Sequence, residues 1–223
     1  MRAVSPFFGP LDLPVDPLKR SFALPRGSTR NHYHVFAPDK ILNRKTIEKL
    51  RDANLTVETV ALFYKRPGSI GIIHTDVAMA KEKWRRNVAA LNWNLSGADS
   101  LMRWYKIDGK GREPDLVSDE KEEPWYYVLN GIHYGFFGSR KQVNLPKSKV
   151  RILEEASIGS ATLVRTDIPH AVENTDAVRG RWAVSVRFAP DFKNWCAAVA
   201  AFRPLLLPPL LPPDASSAFA AER

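Results

Sequence analysis

Residues 149–188 read KVRILEEASIGSATLVRTDIPHAVENTDAVRGRWAVSVRF, and this stretch decides the fold. It contains three segments rich in β-branched residues, which are KVRILEEA, SATLVRTD and RWAVSVRF, and the turns between them are SIGS and NTDAVRG. Gly, Ser, Asn and Asp favour turns, whereas β-branched and aromatic residues favour strands. The stretch therefore predicts three short strands joined by turns.

The same pattern extends upstream as far as residue 55. Further strand candidates are LTVETVALFY (55–64), GIIHTD (71–76), NVAALNWNL (87–95) and SLMRWYKI (100–107). Residues 38–54 have apolar positions spaced as in an amphipathic helix, and 77–86 and 192–202 are shorter helix candidates. Many short strands after an N-terminal helix predict a mainly β domain with flanking helices, of the sandwich or jelly-roll type.

Three segments differ in composition from the part that is rich in strands. Residues 1–37 contain many prolines and show no sustained period, which predicts an extended N-terminal arm. Residues 108–124 are charged and turn-rich, which predicts a solvent-facing loop. The Pro-rich residues 204–223 are expected to form a polyproline-like or disordered tail. The folded domain is accordingly predicted over 38–203.

Composition and charge limit the class of protein. We find no stretch of roughly 20 apolar residues that would cross a membrane, and no secretory signal. A single cysteine, Cys196, excludes an internal disulfide framework, so we expect a cytoplasmic protein. The net charge of +9 favours an anionic partner, such as a nucleic acid or an acidic peptide, over a neutral small molecule, although a basic surface also serves solubility.

The segment His74–Thr75–Asp76 places an imidazole and a carboxylate two residues apart on a predicted strand. Alternate residues of a strand point to the same side, so both side chains can bind one metal ion. His170 ends a predicted strand that runs into a turn, and it supplies a second imidazole. Two histidines and one carboxylate on one face of Fe(II) leave room for an oxoacid and dioxygen.

Arg181 and Ser185 lie four residues apart on the last predicted strand, and hence on the same face. The planar guanidinium of arginine binds a carboxylate through two parallel hydrogen bonds, and a hydroxyl group can add another. This chemistry suits the far carboxylate of an oxoacid such as 2-oxoglutarate. Arg179, in the preceding turn, is an alternative to Arg181 for this role.

The order His-x-Asp, a distant His and then Arg-x-x-x-Ser resembles the Fe(II)/2-oxoglutarate-dependent dioxygenase superfamily. RWAVSVRF (181–188) is similar to the closing strand of the prolyl hydroxylase branch. PHAVEN (169–174) resembles the distal-histidine turn of the superfamily, including its aspartyl/asparaginyl hydroxylase-like members. The resemblance covers roughly residues 55–190 and implies a double-stranded β-helix, which is a jelly-roll or cupin-like fold. The long gap between the histidines implies an insertion over about 108–147.

The resemblance also implies an activity and its ligands. Fe(II) would be bound by His74, Asp76 and His170, and 2-oxoglutarate by Arg181 and Ser185. With dioxygen as the oxidant, the enzyme would hydroxylate an unidentified substrate and release succinate and carbon dioxide.

Further polar residues are candidates for ligand contacts. Asn92 and Asn94 alternate with Leu91 and Trp93 on the strand after His-x-Asp, and in the superfamily this strand commonly contributes to co-substrate binding. The two asparagines fit a purely internal hydrogen-bond network equally well. The candidate substrate-binding residues are Arg103, Tyr105 and His133. Each of these three also fits an ordinary surface or packing role.

Two other functions fit parts of the pattern. A cupin-like metalloenzyme would use the metal as a Lewis acid and would need no oxoacid, and Arg181 with Ser185 argues against it. A non-enzymatic basic module would bind nucleic acid with a steep salt dependence and no response to chelators.

Overall fold

The computed structural model describes residues 5–24, 29–71, 73–80, 83–107, 125–129, 132–137 and 150–207. The strands in this part of the chain are β1 (Phe8–Pro10), β2 (His32–Phe36), β3 (Val57–Lys65), β4 (Thr75–Ala80), β5 (Lys83–Arg86), β6 (Ala89–Asn94), β7 (Ser100–Ile107), β8 (Trp125–Leu129), β9 (Ile132–Phe137), β10 (Val150–Ser157), β11 (Thr162–Arg165), β12 (His170–Asn174) and β13 (Arg181–Phe188). The helices are α1 (Pro38–Ile41), α2 (Arg44–Asp52) and α3 (Trp195–Phe202), followed by a 3-10 turn at Arg203–Leu205. The protein is therefore mainly β with few helices.

The strands form antiparallel sheets throughout the described residues. The largest sheet has the order β1-β11-β6-β13-β3-β2, a second has β10-β7-β12, and a third has β5-β4-β9-β8. Isolated bridges join Ile70 to Glu173 and His74 to His170. The described residues of the segment 70–74, which are 70, 71, 73 and 74, therefore run beside β12 and extend the three-stranded sheet on that side.

Successive segments of the chain alternate between the six-stranded and the three-stranded sheet. β3, β6, β11 and β13 belong to the larger sheet, and the segment 70–74, β7, β10 and β12 belong to the smaller one. Among these described strands, from β3 to β13, only β7 and β10 follow each other in sequence within the same sheet. Neighbouring strands are consequently distant in sequence, and the arrangement is consistent with a β-sandwich.

The main core lies between one face of the six-stranded sheet and the helices. Every second residue of the central strands is buried on this face, among them Val60, Leu62, Leu91, Trp93, Val184 and Val186. Helices α2 and α3 cover this face with Leu50, Ala198 and Phe202. The helical layer occupies this face, so the other face of the sheet packs against the three-stranded sheet.

A smaller core lies between the two stacked sheets. Ala90 of β6 and Val164 of β11 pack with Met102 and Trp104 of β7. The ring of Phe8 stacks on Trp104, with 5.8 Å between ring centroids. The inner face of β13 is instead polar, and the candidate site lies there.

Two local predictions are wrong. In the segment 77–86, predicted as a short helix, the described residues 77–80 and 83–86 belong to β4 and β5, because β4 pairs with β5 on one side and with β9 on the other. Helix propensity is a weak preference that such pairing overrides. Residues 171–174, expected to form a turn after His170, instead continue as a strand in β12, which pairs with β7 along its whole length.

The two other predicted helical segments contain helices, with altered boundaries. The segment 38–54 holds two helices, because Asn43 ends the first turn and caps α2 by accepting a hydrogen bond from the Thr46 N–H at 2.7 Å. The segment 192–202 contains α3, which begins later because Asn194 caps it by accepting from the Ala197 N–H at 2.9 Å.

The segments outside the main domain are only partly described. The N-terminal arm supplies β1 and β2, the two edge strands of the six-stranded sheet. Within the predicted insertion, 125–129 and 132–137 form the β8–β9 hairpin, which joins β4. Residues 208–223 of the predicted tail lie outside the described residues. No helix in the described ranges has the length and apolar character needed to cross a membrane.

Candidate metal centre

The structure brings together His74, Asp76 and His170, the three predicted metal ligands. The backbones of His74 and His170 exchange two hydrogen bonds, with N–H to O distances of 2.9 and 2.8 Å. The Asp76 N–H donates to the Thr166 carbonyl at 3.0 Å. These bonds hold the start of β4 against β12, and one ligand atom from each side chain lies within 4.8 Å of the others.

The three side chains converge around one carboxylate oxygen. Nε2 of His74 is 3.4 Å and Nε2 of His170 is 3.8 Å from Oδ1 of Asp76. The imidazole centroids are 4.5 Å apart. The side chain of His74 is 21% exposed, whereas those of Asp76 and His170 are buried, so the cluster is reached from the His74 side.

The surroundings of His170 leave the nitrogen that faces the cluster able to bind a metal. Its Nδ1 lies 2.9 Å from the Ile168 carbonyl oxygen, which only accepts, so Nδ1 donates and Nε2 carries the lone pair. Burial, followed by the proximity of His74, lowers the pKa of His170 to about 4. The imidazole is therefore neutral at pH 7, as a metal ligand must be.

The two carboxylate oxygens of Asp76 have different surroundings. Oδ2 forms an ion pair with Arg187, whereas the buried Oδ1 has no hydrogen-bond partner in the described part of the chain. Burial raises the pKa of Asp76, but Arg187 and the two imidazoles together hold it well below its usual range. The ionised carboxylate thus offers one unshared oxygen beside two imidazoles, a donor set that fits a divalent metal such as Fe(II).

The inner face of β13 carries a row of polar side chains. Arg181, Ser185 and Arg187 are all buried and lie on the same face, since they are separated by even numbers of residues. Ser185 is opposite Asn92 of β6 and Ala61 of β3. The row therefore leads away from the metal cluster through the space between the sheets.

Arg181, rather than Arg179, occupies this inner face. Arg181 is 4% exposed, and its Nε has no partner within the described residues. Burial lowers the pKa of Arg181 to about 10, so the guanidinium is still charged at neutral pH. The side chain of Arg179 is 58% exposed and pairs with Asp176 at 2.6 Å in the turn before β13.

Lys65 lies beside Arg181, and the sequence analysis missed it. The two residues are directly opposite in the β3–β13 register. A methyl group at Gly71 would lie 2.7 Å from Nζ of Lys65 and 2.6 Å from the carbonyl oxygen of Val172, so the ammonium group lies over Gly71. Burial and the charge of Arg181 lower the pKa of Lys65 to about 8.

The two candidate asparagines have different environments. Asn92 is opposite Ser185, and its buried Oδ1 has no partner in the described residues. Asn94 donates to the Ala98 carbonyl at 2.6 Å and accepts from the Ser96 N–H at 3.3 Å. Asn94 therefore stabilises the turn after β6, whereas Asn92 presents an unpaired oxygen near Ser185.

Arg103 and Tyr105 are not brought to the metal cluster. His170 is opposite Trp104 in the β7–β12 register, so the residues flanking Trp104 point to the other face of the sheet. On that face Arg103 forms ion pairs with two glutamates of the adjoining strands, Glu155 and Glu173. The proposed contact of these residues with a substrate at the metal is therefore not supported by their placement.

His133 lies in β9, where its backbone is opposite Met79, three residues beyond Asp76 along β4. Its side chain lies outside the described residues, so its role in substrate binding stays a prediction.

Asn174 is a second residue that the sequence analysis missed. It is fully buried, and its Nδ2 lies 2.8 Å from the Arg179 carbonyl oxygen, 3.1 Å from that of Arg66 and 3.4 Å from that of Lys65. The side chain therefore ties the end of β3 to the turn that precedes β13. Its position in PHAVEN was visible in the sequence, but the carbonyl groups that it binds were not.

The site as a whole has a His–Asp–His cluster, which could hold a metal ion, at one end and two cations, Arg181 and Lys65, at the other. No protein-family model matches the chain, and no curated protein matches it. Its function is therefore inferred from the residues and geometry of this site.

Proposed function

We propose that the protein is an Fe(II)/2-oxoglutarate-dependent oxygenase that hydroxylates its substrate. One observation carries the proposal: the His–Asp–His cluster and the buried Arg181, which has no ion-pair partner in the described residues, are both on the inner side of the same two sheets. A divalent metal would supply the partner that Asp76 Oδ1 lacks. The far carboxylate of an oxoacid would pair with Arg181.

The corresponding fold is a double-stranded β-helix, a jelly-roll or cupin-like arrangement within the β-sandwich. Its support is the strand order. The four strands β11-β6-β13-β3 of one sheet interleave along the chain with β10-β7-β12 and the segment 70–74 of the other. His74 and His170 would come from two adjacent segments of the smaller sheet, Asp76 from β4, which continues from His74, and the co-substrate ligands from the larger sheet.

His74, Asp76 and His170 would hold the metal. Bound Fe(II), with 2-oxoglutarate and dioxygen, supplies the oxidation, in which one oxygen atom enters succinate, the other forms the product hydroxyl, and carbon dioxide is released. The protein's part is to position the ligands. Arg187 holds Oδ2 of Asp76 so that Oδ1 faces the imidazoles, and the Ile168 carbonyl keeps the proton of His170 on Nδ1.

Arg181 and Ser185 would orient the co-substrate. The guanidinium would pair with the far carboxylate, and the Ser185 hydroxyl would donate a further hydrogen bond to it. Both side chains are buried, and exclusion of water strengthens such contacts because the local dielectric constant is low. Asn92, opposite Ser185, is placed to accept a hydrogen bond in the same space.

The substrate that we propose is anionic, either a nucleic acid or an acidic peptide. The chain has a net charge of +9. β4 leads directly away from Asp76, and the hairpin partner β5 carries Lys83, Arg85 and Arg86 in its sequence. A basic chain would attract a substrate that carries phosphate or carboxylate groups.

Anaerobic titration of the protein with Fe(II) and then 2-oxoglutarate tests this proposal. Chelation of the metal by the oxoacid should produce a weak visible absorption band, as the resemblance to the Fe(II)/2-oxoglutarate-dependent dioxygenases implies. We expect the band to be lost in His74→Ala and weakened in Arg181→Ala. Arg179→Ala is the matched control and should leave it unchanged.

The alternative functions predict different results. Metal binding with no absorption change on adding 2-oxoglutarate would favour a cupin-like enzyme that uses the metal as a Lewis acid. No metal binding at all, together with salt-sensitive binding of nucleic acid, would favour the non-enzymatic basic module.

A further inference from the structure

Two cations face each other on the inner side of the β3–β13 pair. Arg181 and Lys65 are directly opposite in register, and side chains so placed have Cβ atoms about 4.5–5.5 Å apart. Like charges in this arrangement repel each other, and burial increases the cost because water no longer screens them. Such a pair is stable in a fold only when something offsets the repulsion.

The carboxylates of the adjoining segments do not offset it. Each already has a cationic partner, and the pairs are Asp76–Arg187, Glu173–Arg103 and Asp176–Arg179. Within the described ranges, neither Arg181 nor Lys65 forms an ion pair with a carboxylate. The pair is therefore a positive site, with Arg181 buried and Lys65 half-buried, whose anion would come from outside the described residues.

The position of Lys65 relates this positive site to the metal cluster. Its Nζ lies over Gly71, and the Gly71 N–H donates to the Val172 carbonyl at 2.9 Å. Val172 follows His170 by two residues on β12, which is one strand repeat of about 7 Å. That separation suits an oxoacid whose far carboxylate is two methylene groups from the oxo carbon.

We infer that Lys65 and Arg181 form a two-cation subsite that binds the far carboxylate of the oxoacid, and that Lys65 makes the site select dicarboxylic over monocarboxylic oxoacids. The inference rests on the proposed oxygenase function and adds to it a residue that the Arg-x-x-x-Ser motif does not include. The guanidinium fork supplies a directional contact, and the ammonium group supplies a second, compact charge.

This role predicts opposite effects on stability and on binding. Removing the charge of Lys65 relieves repulsion with Arg181, so the unliganded protein should become more stable. The same change removes a charge-assisted contact with the ligand, so dicarboxylate affinity should fall. A lysine with a purely structural role would lower stability when replaced.

Calorimetric titration of the Mn(II)-loaded full chain tests the inference with a matched pair of ligands. 2-Oxoglutarate has the far carboxylate, and 2-oxopentanoate has a methyl group in its place. In Lys65→Met we expect the affinity for 2-oxoglutarate to fall about tenfold or more, as for loss of a charged hydrogen-bond partner. The affinity for 2-oxopentanoate should be unchanged, and the thermal midpoint of the metal-free variant should rise.

Two further variants complete the experiment. Lys65→Gln repeats the charge removal with a polar side chain in case the methionine packs poorly. Lys106→Met removes an exposed lysine near the end of β7 and should change neither affinity nor stability.

Two other outcomes distinguish failure of the role inferred for Lys65 from failure of the proposed function. If Arg181→Ala abolishes the preference for 2-oxoglutarate while both Lys65 variants retain it, the inference is overturned and the proposed function stands. If Mn(II) binds to the wild-type protein but 2-oxoglutarate does not, the proposed function fails, and the two-cation subsite for an oxoacid fails with it.

Discussion

At the scale of single residues, Asp76 shows how the metal cluster is set up electrostatically. Its carboxylate is shared between Arg187, which binds Oδ2, and the space between the imidazoles, which Oδ1 faces. Arg187 keeps the carboxylate ionised in a buried position and restricts its rotation. The cluster is therefore preorganised to present one oxygen and two nitrogens.

Replacing Asp76 with Asn tests this division of roles. The change removes a metal ligand charge and leaves Arg187 buried without its anion, which costs about 3–5 kcal/mol of stability for a broken buried pair. Urea unfolding should show this loss, and calorimetry should show that Mn(II) binding is abolished. Glu48→Gln, which breaks the surface pair with Arg44, is the control and should leave metal affinity unchanged. Retention of Mn(II) affinity in Asp76→Asn would contradict the assignment.

The affinity for 2-oxoglutarate should depend on pH through Lys65. Because the pKa of Lys65 is lowered to about 8, its charge is lost as the pH rises through 8, while Arg181 and the ligand carboxylates stay charged. Titrations of the Mn(II)-loaded protein between about pH 7 and 9 should show falling affinity in the wild type. Lys65→Met should show a flat profile over the same range, and an unchanged slope in the variant would exclude Lys65 as the titrating group.

The lowered pKa of Lys65 also determines how its contribution to the free energy of unfolding changes with pH. The folded-state pKa of Lys65 lies below the unfolded value of 10.5, so the unfolded chain binds more protons between about pH 8 and 10.5. The contribution of Lys65 to the stability of the unliganded protein is therefore greatest above that window and is lost as the pH falls through 8. Lys65→Met should accordingly gain most over the wild type below pH 8 in denaturant unfolding.

The residues of the site differ in how far the sequence predicts them. His74 and Asp76 follow from a two-residue spacing on one strand, and Arg181 with Ser185 from a four-residue spacing on another. Arg187 is buried and Lys65 half-buried beside these residues, but the contacts of both depend on which distant strands are neighbours. Arg187 and Asp76 are 111 residues apart, and no local pattern relates them.

At the level of secondary-structure elements, Asn174 joins the segments that carry Lys65 and Arg181. It lies at the end of β12 and donates from one amide nitrogen toward three backbone carbonyl groups. These belong to the end of β3 and to the turn before β13, the two places where Lys65 and Arg181 stand. The asparagine therefore fixes the relative position of the two cations.

Replacing Asn174 with Ala should destabilise the fold and weaken oxoacid binding together. Buried carbonyl groups that lose their donor cost about 2–4 kcal/mol in total. Denaturant unfolding measures the stability, and calorimetry with 2-oxoglutarate measures the binding. Asn31→Ala, which removes one exposed hydrogen bond to the Arg66 N–H, is the matched control and should affect neither quantity strongly. Equal effects of the two variants would show that Asn174 does not hold the end of β3 and the turn before β13 together.

The prediction of elements succeeds where the local signal and the tertiary structure agree. RWAVSVRF is β-branched, aromatic and flanked by turn residues, and it forms the fully buried β13. Residues 77–86 lack β-branched residues after Val77, and only pairing with β5 and β9 makes β4 a strand. The segment 170–174 is short and polar at its ends, so its pairing with β7 cannot be read from its composition.

In the whole molecule, the main hydrophobic core and the candidate site lie on opposite faces of the six-stranded sheet. The helices and the main core cover one face of the six-stranded sheet, and the candidate site lies on the other face, toward the smaller sheet. The alternation of every central strand makes this separation possible, because successive side chains serve different layers.

Leu50→Ala tests this separation. Leu50 of α2 is fully buried in the main core, and its truncation should cost about 2–5 kcal/mol of unfolding free energy. Under conditions where the variant is folded, its affinities for Mn(II) and 2-oxoglutarate should match those of the wild type. Val15→Ala, at a position that is 85% exposed, should change neither stability nor binding. A loss of metal affinity in folded Leu50→Ala would show that the two faces are coupled.

The class of the fold follows from the sequence, whereas the arrangement of its strands does not. Short β-branched segments with turns between them predict a mainly β protein, and the structure is mainly β. The order β11-β6-β13-β3 places strands together that are separated by tens of residues, and single-sequence patterns do not encode which of them pair. The two-cation site exists only because of that order.

Nuclear relaxation of 2-oxoglutarate on the Mn(II)-loaded protein is the most direct test of the central claim, that this site holds a metal and an oxoacid together. Paramagnetic Mn(II) accelerates relaxation of nearby protons. We expect a larger increase in relaxation rate for the C3 methylene protons than for the C4 methylene protons, because the far carboxylate points away from the metal toward Arg181. The enhancement should vanish in Asp76→Asn and fall strongly in Arg181→Ala. Tight Mn(II) binding with no protein-dependent increase in the relaxation rate of either methylene would contradict joint binding of the metal and the oxoacid at this site.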